Sequence, residues 1–135
     1  LHEKFEGRSD LQAKVRLRQG DLHARQGRDE AARRQWRAVL DDHIDAGPPI
    51  LHAVDRVERS LRAAERAGDV LPLYADAWSR APQPRAASAY VRSTPWYILG
   101  RRYVTLLEEA GRARRAAHVR ARLNAMDGTV RDGGD

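Results

Sequence analysis

Apolar residues recur along this chain at intervals of three and four, and no stretch alternates apolar with polar positions over the length of a strand. The pattern predicts an all-α chain. Ser9 stands as an N-cap before a helix over about 10–26, on which Leu11, Val15 and Leu22 share a face. Gly27 predicts a left-handed turn. Ala32, Trp36, Val39, Leu40 and Ile44 then mark the returning helix, closed by the DAGPP run at 45–49. Pro49 suits the first turn of a second pair, in which Ile50, Val54, Val57, Leu61 and Ala64 form a clear amphipathic stripe. Gly68 is expected to reverse the chain and Asp69 to cap the partner helix, whose stripe is Leu71, Tyr74 and Trp78. That helix stops before Pro82, and a longer connection with one short helical turn follows. Thr94 and Pro95 together are a start signal, a side-chain oxygen for free amides and then a ring already at helical φ. The third pair runs over about 95–110 and 112–126 around Gly111, with Ala116, Val119, Leu123 and Met126 on one side of its second helix. From Asp127 the chain offers little to bury, so 127–135 is expected to be a disordered tail.

These elements pair into three antiparallel hairpins at about 10–44, 49–81 and 94–126, making a helical-repeat domain over 1–126. Gly27, Gly68 and Gly111 fall 41 and 43 residues apart, the spacing of an array in which each hairpin buries its apolar face on the next. Within the third pair, Trp96-x2-Leu99-Gly100-x2-Tyr103 matches the first-helix signature of the tetratricopeptide repeat at all its positions. The chain therefore resembles that family. Ala32, Trp36 and Val39 sit where its small, aromatic and small packing residues recur; aligning Gly20 with the signature glycine puts Arg16 and Gln19 at packing positions, a departure from the pattern. The middle pair lacks the signature, and the spacings exceed the family's usual repeat of about 34 residues; HEAT-like and other hairpin arrays stay open. The resemblance implies a right-handed α-α superhelix, a solenoid that serves as a protein- or peptide-binding scaffold within a longer polypeptide.

In that family, partners lie in a groove lined by the first helix of each pair. One branch grips a terminal carboxylate with Lys-x3-Asn and Lys-x3-Arg pairs. At the matching places this chain has Leu17-x3-Asp21 and Tyr97-x3-Arg101, so only Arg101 fits and no such clamp is expected. The expected groove residues are instead Lys14, Arg25, Arg56, Arg59, Tyr97 and Arg101, placed on faces away from the apolar stripes. Arginine pairs bidentately with carboxylates, and tyrosine adds contact area at little entropic cost.

Charge adds one alternative. The 135 residues hold 25 Lys and Arg against 19 Asp and Glu, a net charge of +6. Such a balance favours acidic partners. Arg112, Arg115 and Arg122, with His118 between them, form a ridge that could track phosphates, so a basic RNA- or DNA-binding module is the alternative reading. The aromatics fall on packing stripes rather than on a stacking platform.

Catalysis finds no support. The chain has no Cys, which excludes disulfides, thiolate catalysis and cysteine zinc sites. Asp41, Asp42, His43, Asp45 and His52 gather in sequence, yet Asp42 and His43 are adjacent and diverge on a helix. Glu108 and Glu109 diverge for the same reason. Neither a phosphate loop nor a nucleophile elbow is present. No enzymatic activity, cofactor or metal is expected. No apolar run is long enough to span a membrane, and the lack of a targeting segment in this fragment favours the cytoplasm. The start at Leu1 suggests a piece of a longer protein.

Overall fold

A computed structural model describes residues 2–129, with side chains from Ser9 onward. Among these residues it is all helical. The helices are α1 (His2–Arg25), α2 (Asp29–Asp42), α3 (Pro48–Ala63), α4 (Val70–Arg80), α5 (Pro95–Glu109) and α6 (Ala113–Met126). Short 3-10 turns occupy Ala67–Asp69 and Val91–Ser93. The chain forms two compact units, one running to Leu73 and the other starting at Tyr74.

In the first unit α1 lies along α2, and α3 packs on both. The contact is made by small residues on α1. Ala13, Leu17 and Gly20 are buried, whereas Leu11, Val15 and Leu22 are more than half exposed. The expected stripe on this helix is therefore on the wrong side. A Cβ on Gly20 would collide with the Trp36 indole, so the missing side chain is what lets α2 approach. Trp36, Val39 and Leu40 on α2 are buried as their spacing predicts, while Ile44 lies past the end of α2. Ile50, Val54, Val57 and Leu61 on α3 are likewise buried, but Ala64 at the end of that stripe is exposed. Burying such side chains is worth roughly 1.5–3 kcal/mol each. Ser9 is not a cap, because α1 runs on through it. Its hydroxyl instead reaches Asp45 Oδ1 at 3.2 Å and His43 Nδ1 at 3.4 Å, tying α1 to the segment after α2.

In the second unit α5 packs along α6, and the aromatic residues of α4 and α5 meet. Trp78 stacks on Trp96 with centroids 5.9 Å apart and tilts against Tyr103 at 5.8 Å. Gly100 lies beneath: a Cβ there would stand 2.6 Å from Leu123 Cδ2 and 2.8 Å from Trp78 Nε1. Trp96, Leu99 and Tyr103 are buried around it, so the signature residues form a packing seam as the sequence suggests. Thr94 caps α5 by accepting a hydrogen bond from the Tyr97 amide.

Three reversals share one geometry. After α1, α3 and α5 a left-handed residue follows the helix, at Gly27 (φ 76°), Glu65 (φ 59°) and Gly111 (φ 76°). The next amide, that of Arg28, Arg66 or Arg112, bonds back to the carbonyl of His23, Leu61 or Leu107 at 2.8–2.9 Å, closing a Schellman motif each time. The middle reversal is thus at Glu65, not Gly68, and the reversals lie 38 and 46 residues apart rather than 41 and 43. Asp69 accepts a hydrogen bond from Arg66 at 2.8 Å within the 3-10 turn.

The chain does not leave the fold after Met126. Asp127, expected in the tail, is 3% exposed. The Ser88 amide donates to Met126 O at 3.0 Å and the Gly128 amide donates to Ser88 O at 2.9 Å, pinning the loop before α5 to the end of α6. Residues 130–135 of the expected tail lie outside the described residues.

Candidate functional site

The expected groove residues separate into distinct surroundings. Lys14 pairs with Asp10, one turn away on α1, at 3.1 Å. Arg25 is exposed at the end of the same helix. Arg56 is committed to structure: its Nε lies 2.8 Å from Asp21 Oδ1 and its Nη2 donates to Oδ2 at 3.2 Å. The Trp36 indole N–H donates to that same Asp21 carboxylate at 3.2 Å and to Leu17 O at 3.3 Å. Asp21 thereby joins α1, α2 and α3. Arg59 is 79% exposed and pairs with Asp55 at 3.0 Å. Together Arg56 and Arg59 border a cleft of about 280 Å³ against the Trp36 ring, Asp29 and Ala63.

Tyr97 and Arg101 come together in the second unit. They border a cleft of about 230 Å³ between α5 and α6 with Val104, Leu123 and the Glu108–Arg120 ion pair, whose atoms are 2.6 Å apart. Tyr97 is only 5% exposed, so it forms a wall of that cleft and not the open contact face its position suggests. Arg101 is exposed.

A more basic cleft escapes the sequence reading. It lies in the first unit, has a volume of about 420 Å³, and is bordered by Arg33, Arg34 and Arg37 of α2 and by Arg66 of the turn after α3. Leu61, Pro72 and Leu73 give it apolar walls, and Glu30 and Asp69 add two carboxylates. Arg33 is held by Ser60 Oγ, 2.8 Å from its Nη1. Arg66 is held by Asp69. Arg34 and Arg37 make no ion pair or side-chain hydrogen bond among the described residues. The signal was present as RRQWR at 33–37, in which Trp36 points inward and the arginines border the outside.

The arginine ridge on α6 is only partly free. Arg122 lies over the Trp78 ring with its guanidinium carbon 4.8 Å from the centroid, and it donates to Gln83 Oε1 at 2.6 Å. It covers the indole as a cation on a π face. Arg112, Arg114 and Arg115 are exposed. Beyond them, Asp127 accepts hydrogen bonds from the Thr129 hydroxyl at 2.6 Å and amide at 2.9 Å, and from Arg92 Nε at 2.6 Å. These bonds, Thr129 foremost, hold its carboxyl well below the ordinary value of 3.8, at about 2. Its stabilising effect is full above that ordinary value and is lost as the pH falls through about 2.

His43 is buried against Ser9, while Asp42 faces Arg16 at 3.8 Å, so the acidic and histidine residues near 41–52 point to different partners. Among the described residues no three His, Asp or Glu side chains converge on one point. No described helix is long and apolar enough to cross a membrane. Searches of protein-family models, of curated proteins and of solved structures gave no match.

Proposed function

We propose that the chain is a helical-hairpin module of tetratricopeptide-like type, a right-handed solenoid that binds a protein or peptide partner. The observation that carries this reading is a shared register. Counting from each left-handed residue, the fifth position holds Ala32, Val70 or Ala116 and the twelfth holds Val39, Ala77 or Leu123, all of them at most 1% exposed. The ninth holds Trp36, Tyr74 or Arg120, two buried aromatics and one exposed exception. The glycine contacts at Gly20 and Gly100 add to the likeness, since both seat a bulky side chain of a neighbouring helix. A register repeated through α2, α4 and α6 is how a helical array builds an extended surface for recognition.

Nucleic-acid binding is the second reading, favoured by Arg112, Arg114 and Arg115, which are exposed without a side-chain partner among the described residues. Against it, Arg122 of the same ridge is drawn onto Trp78. Co-purification before and after nuclease treatment, followed by binding of the recovered partner to the purified chain over a salt series, separates the two. The scaffold reading expects a protein partner that survives nuclease. Recovery of RNA or DNA alone, with an affinity that falls by roughly 0.9 log unit per phosphate contact for each log unit of salt, would replace it with the polyanion reading.

A further inference from the structure

The cleft between α2 and the turn after α3 concentrates cations beyond what its own carboxylates balance. Four guanidinium groups, from Arg33, Arg34, Arg37 and Arg66, border about 420 Å³ together with only Glu30 and Asp69. Like charges gathered round one concavity raise the local potential for an anion. Two of the four are pre-positioned, Arg33 by Ser60 at 2.8 Å and Arg66 by Asp69 at 2.8 Å, so less side-chain freedom remains to be lost on binding. The other two, Arg34 and Arg37, are exposed and have no side-chain partner among the described residues. Arg33 and Arg37 lie one turn apart on α2, a spacing that presents both to one ligand segment.

The remaining lining decides which anion fits. Leu61 and Leu73, 3% and 1% exposed, close the floor of the cleft, and the exposed Pro72 gives it an apolar side beside the charges. A peptide with carboxylates beside an apolar side chain matches this mixture, since arginine forks grip carboxylates bidentately while the exposed Pro72 ring takes the aliphatic group. A phosphate backbone suits it less. Glu30 and Asp69 interrupt the positive lining, and none of the lining residues is an aromatic on which a base could stack.

We infer that the Arg33–Arg34–Arg37–Arg66 cleft is a docking site for an acidic peptide segment whose glutamate or aspartate side chains flank an aliphatic residue. The inference rests on the reading of the chain as a protein-binding module and adds a location and a partner chemistry to it.

The test uses the full chain and fluorescence anisotropy at about 0.1 M salt. The probe is a short, labelled, end-capped peptide of alternating glutamate and leucine. Comparison ligands are the same peptide with glutamine for glutamate and a single-stranded oligonucleotide. The glutamate peptide should bind at least about tenfold more tightly than the glutamine peptide, and more tightly than the oligonucleotide. Arg34→Ala with Arg37→Ala should weaken the glutamate peptide by about tenfold or more, with an unchanged helical circular dichroism spectrum. Arg114→Ala with Arg115→Ala removes the same charge from α6 and should change affinity by less than about twofold. Equal losses in both double variants, equal binding of the glutamine peptide, or tighter binding of the oligonucleotide would each overturn the assignment. A protein partner recovered from cells that binds the Arg34/Arg37 variant as well as it binds the unaltered chain would overturn this site and leave the scaffold reading standing. Failure to recover any protein partner would count against the scaffold reading itself.

Discussion

The hairpins α1–α2 and α5–α6 use the same two devices with different results. Each crosses its partner at a glycine, Gly20 or Gly100, and each reverses through a left-handed glycine followed by arginine. Yet α5 buries eight residues, from Trp96 to Leu107, whereas α1 leaves Leu11, Val15 and Leu22 in solvent. The difference lies in which side chains point at the neighbours. α5 meets α6 on one side and the indole of Trp78 on another, so its aromatic residues are enclosed. α1 is covered through Ala13, Leu17 and Gly20, and its bulkier apolar residues face away. Close approach at a glycine is therefore a property of one line of contact, while the size of the buried face depends on whether the bulky apolar residues point toward the neighbouring helices.

The comparison can be broken most severely at the aromatic seam. Trp96→Ala should cost about 3–5 kcal/mol, because the ring is 1% exposed and stacked on Trp78. Denaturant unfolding followed by circular dichroism measures it, and a loss under about 1 kcal/mol would contradict the enclosure of α5. The glycines come next. Gly20→Ala and Gly100→Ala should each destabilise by roughly 1–3 kcal/mol through overpacking, against the Trp36 ring in one case and Leu123 and Trp78 in the other. Unchanged unfolding midpoints for both would remove the close-approach account.

A smaller effect of opposite sign is expected at the middle reversal. Glu65 holds a left-handed backbone that glycine adopts without strain, so Glu65→Gly should raise stability by about 0.5–1 kcal/mol. A lower melting temperature in differential scanning calorimetry would count against it. The smallest effect belongs to the open face of α1: Val15→Gln should shift stability by less than about 0.5 kcal/mol, while the matching change at Val104 on α5 should cost several times more.

The same contrast explains what the sequence made legible. The bounds of helices α2, α3, α5 and α6 follow closely from the sequence, since Trp36, Val54, Val57, Trp96 and Leu123 are large, apolar and helically spaced. On α1 a count of large apolar residues favours Leu11 and Val15 over the Ala13 and Gly20 that make the contact. Gly68 drew attention as a breaker, although the strained turn sits on a glutamate whose type gives no hint of its backbone angle. Of the expected groove, Tyr97 with Arg101 and Arg56 with Arg59 do share clefts, one pair in each unit. The bidentate grip of Arg56 on Asp21, which lies 35 residues earlier, follows from three-helix packing and from no local pattern. The Arg33–Arg37 cluster was visible as a run, but its meeting with Arg66 needed the fold.

The link between Ser88 and the residues just after α6 has a bearing on how this polypeptide could be trimmed. A chain cut after Met126 would lose the Gly128 bond to Ser88 O and the Arg92 grip on Asp127, and would keep the Ser88 amide's bond to Met126 O. The linker between α4 and α5 would be held by fewer bonds, and a protease should then cut around the exposed Arg85 faster than it does in the intact chain.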